Sequence, residues 1–116
     1  MSFQHQQLAQ GKWQEMSFAA QMANTGSEVA RAIKWKNKND PAYFQAAFER
    51  MLELIDLTVA DPKNRHRLKE ALRAREMLAD YLIYDNEYHS TGEQWEKYFY
   101  AFNYLNNNPK RPKDWI

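Results

Sequence analysis

The sequence predicts an all-α protein, folded as an antiparallel up-down-up-down four-helix bundle. Three observations carry this expectation. Apolar residues recur at steps of three and four over four separate stretches, the period of an amphipathic helix. Two cap-and-proline signals, Asp40-Pro41 and Asp61-Pro62, separate stretches that lie close together in the chain. With 3 Gly and 4 Pro in 116 residues, the chain is too poor in turn formers to be an all-β protein. One domain of this length is expected, with residues 1–16 as a polar arm, 17–106 as the bundle and 107–116 as a basic tail.

The arm is Gln-rich and shows no sustained period. Its isolated apolar residues are Phe3, Leu8 and Trp13, and Trp13 is the one expected to dock. Ser17 is the N-cap of the first helix, because its hydroxyl can accept from a free N–H of the first turn. Phe18, Met22, Gly26, Val29 and Ile33 then form one face, and the helix should run to about Lys38. Gly26 costs the helix about 1 kcal/mol against Ala, so its place on this face calls for a closely approaching neighbour. Lys34, Lys36 and Lys38 suit the negative C-terminal end.

The second helix starts at Pro41 behind Asp40 and carries Phe44, Ala47, Phe48, Met51, Leu54, Ile55, Thr58 and Val59. The third is expected from Pro62 to about Tyr84, with Leu68, Ala71, Leu72, Leu78, Ala79, Leu82 and Ile83 as its stripe and Arg75 on that stripe. A capping box of Thr91 and Gln94, or of Ser90 and Glu93 in the alternative register, opens the fourth. Its stripe is Trp95, Tyr98, Phe99, Phe102 and Leu105, and Asn106-Asn107-Asn108-Pro109 stops it.

Composition excludes several chemistries. With 0 Cys there is no disulfide, thiolate or Cys-ligated zinc. Apolar runs are too short to span a membrane, and the N-terminus lacks a signal-peptide layout, so the expected compartment is the cytoplasm. None of His5, His66 and His89 lies three residues after a Glu, which argues against a di-iron bundle. No Arg stands four to six residues before any of them, so the nuclease pattern of small bundles of the HEPN type is missing. No cofactor is expected.

Charge comes in blocks although the net charge is only +1. Residues 62–75 hold six bases, and residues 76–96 hold six acids and no base. In an up-down bundle Lys63, Arg65, His66 and Arg67 share a pole with Lys110, Arg111 and Lys113 of the tail. That pole is a candidate site for nucleic acid or another anion, against the plainer reading of a solvated face. Glu49, Glu53 and Asp56 share a face of the second helix, and Glu76 and Asp80 pair on the third. Such carboxylates on facing helices suit Mg²⁺ with a phosphate substrate, as in the all-α nucleotide pyrophosphohydrolases. Only Glu53-Leu54-Ile55-Asp56 matches their spacing, and acids on a solvated face are the plainer reading.

Arg75, on the expected core face, needs a partner, and Glu28 and Asp56 are the candidates for a buried ion pair. Aromatics reach 15% of the chain, and the fourth helix is apolar most of the way round. Trp95, Tyr98, Tyr100 and Tyr104 are therefore interface candidates, for a homodimer or another protein partner on this helix.

Ser17 to Asn24, Gly26 to Val29 and Arg31 to Lys36, together with Asp56-Leu57-Thr58, Asp61-Pro62 and Asp85-Asn86-Glu87-Tyr88, carry a resemblance. Over about residues 12–105 the chain resembles a group of short uncharacterised bacterial and archaeal proteins. The resemblance implies a small stand-alone cytoplasmic protein and transfers no activity and no catalytic residues. The leading expectation is a non-enzymatic helical-bundle interaction module, with a Mg²⁺-dependent nucleotide pyrophosphohydrolase-like enzyme as the alternative.

Overall fold

A computed structural model describes residues 11–107. Among these the fold is all-α: α1 (Phe18–Asn37), α2 (Pro41–Ala60), α3 (Leu68–Ile83) and α4 (Gly92–Asn107). Short 3-10 segments at Trp13–Glu15 and Pro62–Arg67 precede α1 and α3. Residues 1–10 and 108–116, and with them Lys110, Arg111 and Lys113, lie outside the described residues. Among the described residues no helix is long and apolar enough to cross a membrane.

Local chemistry sets the helix ends. The Ser17 hydroxyl accepts from the Ala20 N–H, and the Asp40 carboxylate accepts from the Tyr43 N–H. α1 ends in a Schellman motif: Asp40 N–H reaches Trp35 O, Asn39 N–H reaches Lys36 O, and Asn39 takes the left-handed conformation with φ 56°. Thr91 and Gln94 form the reciprocal capping box of α4, at 3.0 and 3.1 Å.

α1 packs against α2 on one side and α4 on the other, and α3 packs mainly against α2. Phe18, at the start of α1, meets Phe102 near the end of α4, edge to face at 5.7 Å. A Cβ at Gly92, which opens α4, would stand 3.6 Å from Ile33 late in α1. Lys36 donates to the carbonyls of Tyr81 and Leu82 at 3.0 and 2.8 Å, satisfying the end of α3. The core runs through Met22, Val29, Ala32, Met51, Ile55, Leu78, Leu82, Trp95, Phe99 and Phe102. Gly26 serves the close approach its position calls for: a Cβ there would lie 2.7 Å from Phe99 Cβ.

Two expectations for the third helix are corrected. Residues Pro62–Arg67 are 3-10 rather than α, with Asn64 drawn inward and buried. Its amide donates to Gln21 Oε1 at 2.7 Å and to Thr58 O at 2.9 Å, so the segment is held by ties to α1 and α2. The buried stripe of α3 is Ala71, Ala74, Leu78 and Leu82, while Leu72 and Ile83 face solvent, 46% and 44% exposed. α3 turns toward α2 and α1, and that turn leaves Leu72 and Ile83 on the far side.

Candidate functional site

The clustered acids do not converge. Glu53 is buried in α2, whereas Asp56, one turn on, is exposed and paired with Arg75 at 2.9 Å. Glu49 accepts from the Gln45 amide, and Glu76 accepts from the Tyr88 hydroxyl at 3.2 Å. Asp80 is buried and clamps the loop after α3: its two oxygens accept from the N–H groups of Glu87 at 2.8 Å and Tyr88 at 3.1 Å. Asn86 helps this clamp by bridging the Ser90 N–H and carbonyl, with φ 54°. Among the described residues no three His, Asp or Glu side chains gather as a metal site would require.

The buried ion pair is also corrected. Arg75 does pair with Asp56, but both side chains are well exposed, at 39% and 50%. Arg75 sits at the α2-facing edge of α3 rather than on its core face. Glu28, the other candidate, is the buried acid; it accepts from Arg31 at 2.6 Å and from Arg50 of α2 at 3.1 Å.

At the expected basic pole, two of the four described residues are tied down. Lys63 binds the Asp61 carboxylate and the Gln14 carbonyl, and Arg67 binds Glu70 while lying over the Phe18 ring. Arg65 and His66 are exposed. Beneath them lies a polar network absent from the sequence-based expectations. The Trp13 indole donates to Thr58 Oγ1 at 3.1 Å, and Gln21 donates to Trp13 O at 2.9 Å and to Asp61 at 2.8 Å. Thr58, Gln21 and Trp13 are all within 1% of complete burial. Burial pushes the Asp61 carboxyl up, but hydrogen bonds from Lys63 and Gln21 and the Lys63 charge outweigh it, so its pKa lies below the ordinary value. A sequence signal for this network exists: Gln21, Thr25, Glu28 and Ala32 repeat at steps of four, three and four beside the apolar face, and all four are buried.

The interface candidates on α4 divide. Trp95 is buried against the chain's own core and shows only an edge on the α3 side of the helix. Tyr98 is partly buried and packs edge-on against Trp95, Phe99 and Phe102. Its hydroxyl donates to Glu70 at 2.9 Å, and burial, helped by the Glu70 charge, drives its pKa well above the ordinary phenol value. Tyr104 is partly buried, and Tyr100 is exposed. The aromatic load of α4 is therefore largely core.

What remains open is the seam between α3 and α4, the adjacent helices that approach each other least. It holds a groove of about 300 Å³ with a mainly apolar lining. Ala74, Met77, Trp95 and Tyr98 form its apolar part, with Glu70, Arg73 and Gln94 among its polar edges. The indole N–H of Trp95 is buried without a hydrogen-bond partner among the described residues. No sequence pattern announces this groove, because it arises from the distance between two helices. No family model, curated protein or solved structure matches the chain.

Proposed function

We propose that the chain is a non-enzymatic interaction module built as an antiparallel up-down-up-down four-helix bundle. The topology is supported by the pairing of Phe18 with Phe102, of Gly92 with Ile33, and of Lys36 with the end of α3. The function is a docking one: a partner protein inserts an apolar anchor side chain into the α3–α4 groove. The observation that carries it is the open apolar seam at Ala74, Met77 and Tyr98, edged by Arg73 and Glu70, a pocket of the size and lining that anchors fill. The dispersal of Glu49, Glu53, Asp56, Glu76 and Asp80 favours docking over phosphoryl chemistry.

The test uses peptides selected against the whole protein from a random displayed library, titrated into ¹⁵N-labelled protein. The largest shifts are expected at Ala74, Met77, Tyr98 and the Trp95 indole. Met77→Lys, at a partly buried position of the groove wall, should weaken binding by roughly tenfold or more, the loss of about 1.4 kcal/mol, with the fold checked by its melting curve. Selected peptides that all map elsewhere, or nucleotide turnover with Mg²⁺ that Glu53→Gln abolishes, would overturn it.

A further inference from the structure

The groove between α3 and α4 has a polarity as well as an apolar floor. At the end nearer the start of α3 the Glu70 carboxylate is engaged on both oxygens. One accepts from the Arg67 guanidinium at 2.9 and 2.6 Å, and the other accepts from the Tyr98 hydroxyl at 2.9 Å. Three residues further along α3, Arg73 also lines the groove; it is exposed and pairs with no carboxylate among the described residues. Its guanidinium lies over the Tyr88 ring, 5.6 Å from the centroid, and Glu76, the next acid along the helix, accepts from that tyrosine's hydroxyl instead. Exposed Lys69, one turn before Arg73, adds charge of the same sign. Across the groove the Gln94 side chain gives its carbonyl to the Thr91 N–H, which leaves its amide N–H groups open. The rim thus presents a charged donor and an amide donor, and no unpaired carboxylate.

That polarity names the partner's chemistry. An apolar anchor seated over Ala74 and Met77 strips water from Arg73, one turn from Met77 on the same helix, and a guanidinium that loses water without gaining a partner weakens binding. A carboxylate on the anchor segment removes that penalty and adds a charge-assisted hydrogen bond of the geometry a guanidinium favours. A lysine or arginine in its place adds repulsion. Resting on the docking role proposed for the groove, we infer that the partner is an acidic amphipathic segment. A large apolar residue enters between Met77 and Tyr98, and an Asp or Glu about one helical turn away on that segment pairs with Arg73. The spacing follows from α3 itself, since Arg73 and Met77 are four residues and roughly 6 Å apart along the helix axis. The orientation follows from charge. The carboxylate lies toward the start of α3, where residues 62–75 hold six bases and one acid, and away from residues 76–96, which hold six acids and no base.

The experiment uses the full chain and the peptides selected against it, each made with a neutral twin in which Asp and Glu become Asn and Gln. Calorimetry at low and high salt gives the affinities, and ¹⁵N shifts place each peptide. Peptides that bind the groove are expected to carry an acid three or four residues from a large apolar residue. They should bind at least about fivefold tighter than their neutral twins at low salt, by a ratio that shrinks as salt rises. In Arg73→Gln the acidic peptide and its twin should bind alike. In Arg73→Glu the preference should invert, toward a twin with Lys at the acidic position. Arg73 is exposed, so both variants should keep the wild-type melting curve. Peptides that shift Met77 and the Trp95 indole but bind equally well without their acid would overturn the acidic partner and leave the docking groove standing. A preference for acid that persists in Arg73→Gln would overturn it too, because the charge would then be read elsewhere. Shifts of the same signals with protein concentration alone would put a second copy in the groove and count against an acidic partner. Peptides that all bind away from the groove would sink both readings.

Discussion

Two acids placed one turn from apolar neighbours meet opposite fates, and the difference decides what their partners contribute. Asp56 and Arg75 form an exposed pair, which contributes little once side-chain entropy and solvent screening are counted. Glu28 is buried, and Arg50 supplies one of its two bridges. Arg75→Ala is therefore expected to lower stability by less than about 1 kcal/mol. Arg50→Ala, which leaves a buried carboxylate half satisfied, should cost about 1–3 kcal/mol. Urea titration of the two variants side by side checks the order; equal losses would mean that Glu28 needs only Arg31. Asp61 supplies a second test at this scale. Its folded pKa is held below the ordinary carboxylate value. The stability this gives is present above the unfolded pKa of about 4 and disappears as pH falls through the folded value. The wild type should thus be more stable than Asp61→Asn at pH 7, and the gap in urea midpoint should narrow below about pH 4. A gap constant from pH 7 to 3 would show that the charge on Asp61 is immaterial.

The starts of α1, α2 and α4 were legible in the sequence because capping is local: Ser17, Asp40 and Thr91 with Gln94 act within a few residues of themselves. Helix faces were legible only where one neighbour dominates. The face of α1 through Met22, Gly26 and Val29 follows the apolar period, and its second, polar row becomes clear only with α2 beside it. For α3 the period misassigned Leu72 and Ile83, since Leu occurs on both its inner and outer sides and only the neighbours tell them apart. Gly26 tests the contact between elements directly. Gly26→Ala gains helix propensity of about 1 kcal/mol but drives a Cβ to 2.7 Å from Phe99 Cβ, an atom fixed close to the α4 backbone. The clash should win, with a net loss of about 1–2 kcal/mol in chemical denaturation. A stabilised Gly26→Ala would mean that α1 and α4 can part without penalty.

At the level of the molecule, the helices form an incomplete ring: α1 is flanked by α2 and α4, α3 leans on α2, and the circuit is weakest between α3 and α4. The candidate groove lies at that break. It was not legible beforehand, because it depends on the separation of two helices. The five acids were legible as residues, but their dispersal was not, because Glu53 turns inward while Asp80 is recruited by the backbone of its own loop.

The ties around Trp13 also bear on how the chain folds and unfolds in time. They join residues 45, 40 and 43 positions apart, through Trp13–Thr58, Gln21–Asp61 and Gln21–Asn64. Closing such separations is entropically slower than winding helices or docking the α1–α2 hairpin. Trp13→Phe, which removes the bond to Thr58, is expected to raise the unfolding rate more than it lowers the folding rate, as read from the two arms of a chevron; the reverse split would place these ties early. Bonds made after the barrier is crossed leave the folding rate almost untouched and are among the first that unfolding must break. On that expectation the segment before α1 is a latch on the lifetime of the native state, governing how long the four helices stay packed rather than how quickly they assemble.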